Sequence, residues 1–295
     1  HSFVNLILLL TRFTGSYNSS KRKKLGMGQE EAPGQPTNKP SQAEKCPHLS
    51  LVLPAYNEAS RIDLTLTKTI SYLNSQPYSW ELIVVDDGSS DQTVDLVEAF
   101  ALEHPNIRIV SVVPNRGKGH ALKKGVLQAT GYYIGFMDAD YKTDITCTSD
   151  ALEQLDTGIP IVIGSRKLSG TQIDLKPKLY RRLGSFFFNK YIHTLLPILG
   201  HYKDTQCGFK FYTHQAAHAI FSRQIIERFM FDAEVLFLAH RLGFQVKEIP
   251  VRWSSDHDTR TKIIESIVRN TIDLIRIRKH HRHVEPFDHT PQTGD

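Results

Sequence analysis

From residue 49 to residue 165 the chain repeats one order. A short continuous apolar run leads into a polar cluster, and then apolar residues recur every three or four positions. The apolar runs at 49–53, 80–85, 107–113, 132–137 and 159–164 have strand length and leave no side for solvent. Between them Ile62, Leu66, Ile70 and Leu73 share one helical face, as do Val94, Val97 and Phe100, and a third helix opens near Asn115 and runs to about Ala129. Ser90 stands where the second helix needs an N-cap. Buried strands alternating with amphipathic helices predict an α/β domain whose parallel sheet is covered on both faces.

Ligands bind such sheets beyond the carboxyl ends of the strands. Four successive strand ends carry polar clusters: Pro54-Ala55-Tyr56-Asn57-Glu58, Asp86-Asp87-Gly88-Ser89, Asn115-Arg116-Gly117-Lys118-Gly119 and Asp138-Ala139-Asp140. On a strand, residues i and i+2 point to one side, so Asp138 and Asp140 are expected to converge. Converging carboxylates repel unless a proton or cation lies between them, and hard oxygen donors suit Mg²⁺ or Mn²⁺. An isolated Asp-x-Asp is equally the mark of a solvated turn; its place in a row of four clusters gives it weight. Other phosphate-binding patterns fit poorly. Gly117-x-Gly119 has Leu122 at the third glycine position and follows the third strand, and there is no Gly-x-x-x-x-Gly-Lys-Ser/Thr.

Composition changes this picture little. The 295 residues are 40% hydrophobic and 23% charged, an ordinary globular balance, with a net charge of +5. The excess gathers at Lys21-Arg22-Lys23-Lys24 and at Arg276, Arg278, Lys279 and Arg282. Basic ends suit an anionic surface, with lipid headgroups favoured over nucleic acid, for which these ends are the sole argument. Cys46, Cys147 and Cys207 are odd in number and far apart, which argues against a disulfide framework or zinc site and fits a reducing compartment. The apolar run at 3–10 is far short of the roughly 20 residues that span a bilayer. It reads as a membrane-anchor remnant or a leader, and residues 11–47, rich in Ser, Lys, Gly, Gln and Pro, read as a flexible linker.

Two later stretches bear on a membrane. Residues 183–199 are apolar and aromatic behind Arg181 and Arg182, and are interrupted by Pro197. Residues 263–277 form a basic amphipathic pattern. Both suit an interfacial helix, and both are equally explained by packing against the domain's own core. A strand is expected at 246–253. The His-rich stretch from Lys279, with His280, His281 and His283, reads as a disordered tail or an adventitious metal binder.

In order, the four clusters and Gly164-Ser165-Arg166 resemble glycosyltransferase family 2, the inverting nucleotide-sugar-dependent enzymes of GT-A fold. Asp204-Thr205-Gln206-Cys207-Gly208-Phe209-Lys210 and Phe231-Asp232-Ala233-Glu234 resemble the branch that glucosylates dolichyl or other polyprenyl phosphates. The resemblance covers about residues 49–255. It implies a Rossmann-like, mixed but mostly parallel sheet flanked by helices. Outside it, composition and periodicity divide the chain into a leader at 1–48, a loop and basic helix at 256–282, and a tail at 283–295.

The resemblance further implies roles. Pro54, Tyr56, Glu58, Asp86 and Asp87 would hold the nucleoside, although Asp87 is also explained by turn structure next to Gly88. Arg116 and Lys118 would meet the diphosphate. Asp138 would meet the ribose or metal-bound water, and Asp140 would ligate Mg²⁺ or Mn²⁺. Asp204 would lie beside the reaction centre with Arg166. The acceptor phosphate would draw on Arg166, Arg181, Arg182, Arg260 and Lys262, and Gln206, Lys210, Asp232 and Glu234 would support the site. The implied partners are a nucleotide sugar, UDP-glucose foremost, a polyprenyl phosphate and a membrane surface, with the catalytic domain on the cytosolic side of the endoplasmic reticulum or bacterial membrane.

Mannosyl relatives typically carry a metal-binding Gln two residues after the second Asp. Lys142 stands there, which counts against a GDP-mannose enzyme. A processive polysaccharide synthase would need Gln-x-x-Arg-Trp, and Ile249 precedes Arg252-Trp253 instead. A nucleotide-binding protein with a dead site is the remaining alternative.

Overall fold

The structure, a computed structural model, describes residues 46–174, 179–254 and 263–287, without the side chains of 179–183 and 263–267. The leader and linker, Arg260, Lys262 and residues 288–295 therefore lie outside the described residues, as do the side chains of Arg181 and Arg182.

The first half follows the predicted order. Strands β1 (Leu49–Ala55), β2 (Trp80–Asp86), β3 (Ile107–Ser111), β4 (Tyr133–Met137) and β5 (Ile161–Ser165) alternate with helices α1 (Ile62–Asn74), α2 (Thr93–Glu103), α3 (Lys118–Gln128) and α4 (Cys147–Asp156). The second half adds a short β6 (Gln172–Ile173), α5 (Leu179–Leu195), a 3₁₀ turn at Pro197–Leu199, β7 (Phe209–Thr213), α6 (His214–Arg223) and α7 (Phe231–Arg241). It closes with β8 (Val246–Pro250), β9 (Arg252–Trp253) and α8 (Ile263–His280).

Seven strands form the main sheet in the order β3-β2-β1-β4-β7-β5-β8. Every neighbouring pair is parallel except β4–β7 and β5–β7, so β7 alone is reversed. Alternate side chains serve two apolar layers. Val52, Ile83, Val85, Ile134 and Phe136 pack against residues of α3, α6 and α7. Leu51, Leu53, Leu82, Val84 and Met137 pack with Ile62, Leu66, Val97 and Leu152 on the other face. Each large apolar side chain so enclosed contributes about 1.5–3 kcal/mol. The sheet is thus covered on both sides, as its uninterrupted apolar runs require.

Several local expectations change. Ser90 does not cap α2: its amide is held by Asn57 Oδ1 at 2.8 Å, and the neighbouring Asp91 accepts from the Thr93 amide at 3.0 Å. The third strand stops at Ser111, and the single strand expected at 246–253 is two, divided at Val251. Strand β7 was not foreseen, because Lys210 interrupts its apolar pattern. The stretch after α8 is no loose tail as far as residue 287. His281 is buried against Glu234, and Phe287 packs on Phe244. A buried imidazole committed to a carboxylate is not an adventitious metal ligand.

The two candidate interfacial helices are each partly core. In α5, Ile192 is fully buried while Phe186 and Phe187 are 61% and 63% exposed. In α8, Leu274 and Ile277 are buried, whereas Val268, Arg269, Ile272 and Arg276 face outward. Among the described residues no helix is long and apolar enough to cross a membrane.

Candidate active site

The carboxyl ends of β1, β2, β4 and β5 lie at one edge of the sheet. Reversed β7 brings its amino end, and the loop 204–208 before it, to the same edge. The loops there are tied to one another. Asn57 adopts φ of 52°, a left-handed conformation that Asn tolerates, and its amide donates to Ser89 Oγ at 2.9 Å. Asp86 accepts from the amides of Gly88 and Ser89, both at 3.1 Å. Asp87 reaches onward, accepting from the amides of Arg116 at 3.0 Å and Gly117 at 2.6 Å. The turn reading of Asp87 therefore has direct structural content: its carboxylate builds the third loop.

Glu58 is bound to Arg61 at 2.7 Å, while Pro54 is buried at the end of β1 and Tyr56 stands exposed beside it. Arg116 pairs with Glu227 at the exposed rim. Nothing in the local sequence marks Glu227 as its partner.

Deeper in, Lys118 forms an ion pair with Asp138 and lies 5.5 Å from the Phe231 ring centroid. Its ammonium is held above its usual pKa. Burial works against the charge, and the charges of Asp138, Asp232 and Asp140 outweigh it. Asp138 is the carboxylate that Lys118 directly pairs with.

Strand β4 ends at Met137, so Asp138 and Asp140 lie in a turn beyond it, and strand parity does not orient them. Asp138 turns to Lys118, and Asp140 turns to Lys142 Nζ at 2.8 Å. The turn is fastened by Thr65 Oγ1, which donates to Ala139 O at 2.7 Å, and by the Asp138 amide on Gly208 O at 3.1 Å. Gly208 permits this approach: a Cβ there would fall 2.2 Å from Asp138 Oδ2.

The donor set fits a hard divalent cation. Asp138 and Asp140, hard oxygen donors from one turn, would hold such an ion together with substrate phosphates and water, the ion supplying charge neutralisation. Among the described residues no three His, Cys, Asp or Glu side chains gather into a protein-only cage. Lys142 offers Asp140 a positive charge where the mannosyl pattern would offer a neutral amide.

On the other side of the sheet edge Arg166 and Asp204 interlock. Arg166 Nε donates to Oδ2 at 2.7 Å, its NH2 to Oδ1 at 2.8 Å, and its amide to Oδ2 at 3.0 Å. Asp204 is fully buried; burial alone would raise its pKa, but Arg166 overrides this and holds it at about 2. Glu248 on β8, which the sequence did not single out, fixes the loop by accepting from the amides of Lys203 at 2.9 Å and Asp204 at 3.0 Å. Gln206 follows, its amide 3.3 Å from Asp204 Oδ1.

Lys210 is fully buried in β7, paired with Asp232 and donating to Cys207 O at 2.7 Å. Asp232 is thereby committed to a lysine. Glu234 is also inward-facing and serves backbone, accepting from the amides of Ile225 and Ile226 at 2.8 Å each.

Beside Arg166 opens a cavity of about 1160 Å³ lined by Lys167, Phe186, His193, Lys203 and Trp253 among others. The Arg166 guanidinium lies over the Trp253 ring at 5.6 Å. Cationic and aromatic side chains lining one cavity suit an anionic group on an apolar carrier.

The family model for glycosyl transferase family 2 matches residues 50–230. The chain belongs to glycosyltransferase family 2. Among curated members of family 2, a dolichyl-phosphate β-glucosyltransferase of Trichomonas vaginalis is 37% identical over 81% of this chain and 76% of its own length. Enzymes of that name from Saccharomyces cerevisiae and Homo sapiens are 36% and 32% identical, each over 78% of this chain and 74% of theirs. The fold is also that of glucosyl-3-phosphoglycerate synthase from Mycobacterium tuberculosis, solved with Mn²⁺ and UDP-glucose. The two superpose with a TM-score of 0.61 at 21% identity, covering 84% of each chain. The GT-A architecture expected from the family 2 motifs is therefore present.

Proposed function

We propose that this chain transfers glucose from UDP-glucose to dolichyl phosphate, inverting the anomeric carbon, at the cytosolic face of the endoplasmic reticulum membrane. The observation that carries the reading is the match to dolichyl-phosphate β-glucosyltransferases along about four-fifths of the chain. The geometry agrees with it. A turn of carboxylates and lysine suits a cation-bound diphosphate, and a cationic, aromatic cavity opens beside Arg166.

In this reading Tyr56, Glu58 and Asp86 bind the nucleoside, and Lys118 and Arg116 face the diphosphate. Asp138 and Asp140 would hold a divalent cation, which supplies charge neutralisation for the departing diphosphate. Arg166, fixed by Asp204, presents its guanidinium to the acceptor phosphate at the mouth of the cavity. One oxygen of that phosphate bonds to the anomeric carbon as the bond from that carbon to the UDP oxygen breaks, and UDP departs with the electron pair. A phosphate monoester is already anionic at neutral pH. No proton has to be removed from it, so the commitment of Asp232 to Lys210 costs the reaction nothing. The exposed Phe186, Phe187, Val268 and Ile272, with Arg269 and Arg276 beside the latter two, suit a lipid surface bearing the acceptor.

The test is incubation with UDP-glucose, GDP-mannose and other nucleotide sugars in turn, with a polyprenyl phosphate, scoring lipid-linked sugar. Glucolipid from UDP-glucose alone, abolished by EDTA and by Asp140→Ala, is expected. Preferential use of GDP-mannose would overturn the donor assignment, turnover unaffected by EDTA would overturn the cation assignment, and no product from any donor would favour the dead-site alternative.

A further inference from the structure

The C-terminal segment ends in a contact that none of the reactions above uses. His281, the residue after α8, is 1% exposed, and its Nε2 donates to Glu234 Oε1 at 2.7 Å. Glu234 is fully buried in the first turn of α7, and the same carboxylate takes the amides of Ile225 and Ile226. A buried carboxylate needs several donors to be tolerated, and His281 is the side-chain donor among the three.

The segment 224–227 that Glu234 holds is pressed onto the start of α3. Gln224 Nε2 donates to Gly119 O at 2.9 Å and to Ile226 O at 2.7 Å. The His120 amide donates to Glu227 O at 2.9 Å. Contact here is so close that a Cβ on Gly119 would fall 2.5 Å from Ile226 O. The first residue of α3 is Lys118, which pairs with Asp138. A continuous series of short contacts thus runs from His281 through Glu234 and the 224–227 segment to Gly119 and His120, the residues directly after Lys118.

We propose that His281 is a positioning residue: as the last member of this series it clasps the 224–227 segment and so sets where Lys118 stands in the diphosphate end of the site. The kinetic part of this inference rests on the function proposed above; the mechanical part does not. The C-terminal segment, remote in sequence from every donor-site loop, then governs donor affinity without touching the donor.

The experiment compares wild-type protein, His281→Ala and His281→Gln, the last of which retains a side-chain N–H donor. Hydrogen exchange read on peptides covering 117–121 and 224–228 tests the clasp without any ligand. Removing a hydrogen bond to a buried charge is expected to speed exchange there roughly tenfold or more in His281→Ala. Peptides from β1 and β2 should be unchanged, and His281→Gln should restore most of the protection. Unchanged exchange at 117–121 overturns the proposal, as does uniform acceleration across the domain. Steady-state kinetics then read the effect on the site: the KM for UDP-glucose should rise roughly tenfold in His281→Ala with kcat little altered, and return towards wild type in His281→Gln. A fall in kcat at constant KM would overturn the link to Lys118. If wild-type protein turns over no nucleotide sugar, the reading of the reaction fails, while the exchange data still decide the clasp.

Discussion

Replacing Asp204 by Asn removes the charge and turns one of its two accepting oxygens into an N–H donor, so it breaks the interlocked Arg166–Asp204 pair at almost constant volume. Asp204 is fully buried, and its pKa is drawn from an ordinary 3.8 to about 2 because Arg166 outweighs the penalty of burial. That difference corresponds to about 2–3 kcal/mol favouring the folded state when Asp204 is ionised. Deleting one partner of a wholly buried pair costs about 3–5 kcal/mol, but the Arg166 side chain is 27% exposed and water recovers part of the loss. Asp204→Asn is therefore expected to lower unfolding free energy by about 2–3 kcal/mol at pH 7, read from urea melts with an unchanged m-value. The sign of the pH dependence follows from a depressed folded pKa. The stabilisation is complete above about 3.8 and fades as pH falls towards about 2. The gap between wild type and variant should hold from pH 7 to pH 5 and narrow steadily below pH 4. A gap under about 0.5 kcal/mol, or one that does not narrow in acid, would refute the assignment of this energy to the pair.

Other substitutions test neighbouring features. Lys210→Met strands Asp232 without its partner and should destabilise the protein by about 3–5 kcal/mol in urea melts, whereas adding Asp232→Leu should recover most of the loss. Gly208→Ala forces Asp138 aside, since the new Cβ would meet its carboxylate at 2.2 Å; kcat/KM should fall on the order of 100-fold with the melting temperature within a few degrees of wild type. Phe186→Ser with Phe187→Ser should weaken co-sedimentation with phospholipid vesicles while shifting stability by no more than about 0.5 kcal/mol per site, because both rings are mostly exposed.

What the sequence disclosed depended on how local each signal was. Strands β1, β2, β4 and β5 announce themselves through continuous apolar runs, and the polar clusters after β1, β2 and β4 lie where those strands end. Strand β7 is hidden because Lys210 interrupts it; the residue that makes its burial tolerable, Asp232, comes 22 positions later. Ser90 has the side chain of a cap, yet Asn57 from another loop claims its backbone, and the first amide of α2 donates to Asp91 instead. The pairings of Arg116 with Glu227 and Glu234 with His281 share this character. Composition names the charges, but only the fold says which of them meet. For α5 and α8 the pattern was ambiguous for a physical reason, since each helix has one apolar face against the core and further apolar residues turned outward.

The reversed strand has a consequence for how specificity is distributed along the chain. Because β7 runs against its neighbours, the sheet edge receives the exits of β1, β2, β4 and β5 together with the entrance of β7. The loops assigned to the donor all precede residue 141, while Arg166, the cavity and the 204–208 loop come from the stretch that follows. The two halves of the reaction are thus written in consecutive blocks of sequence, joined through the β4–β7 seam and through the packing of 224–227 on α3. Variation in the later block retunes the acceptor without disturbing the nucleotide end only where it spares Gly208 against Asp138 and the 224–227 segment against α3.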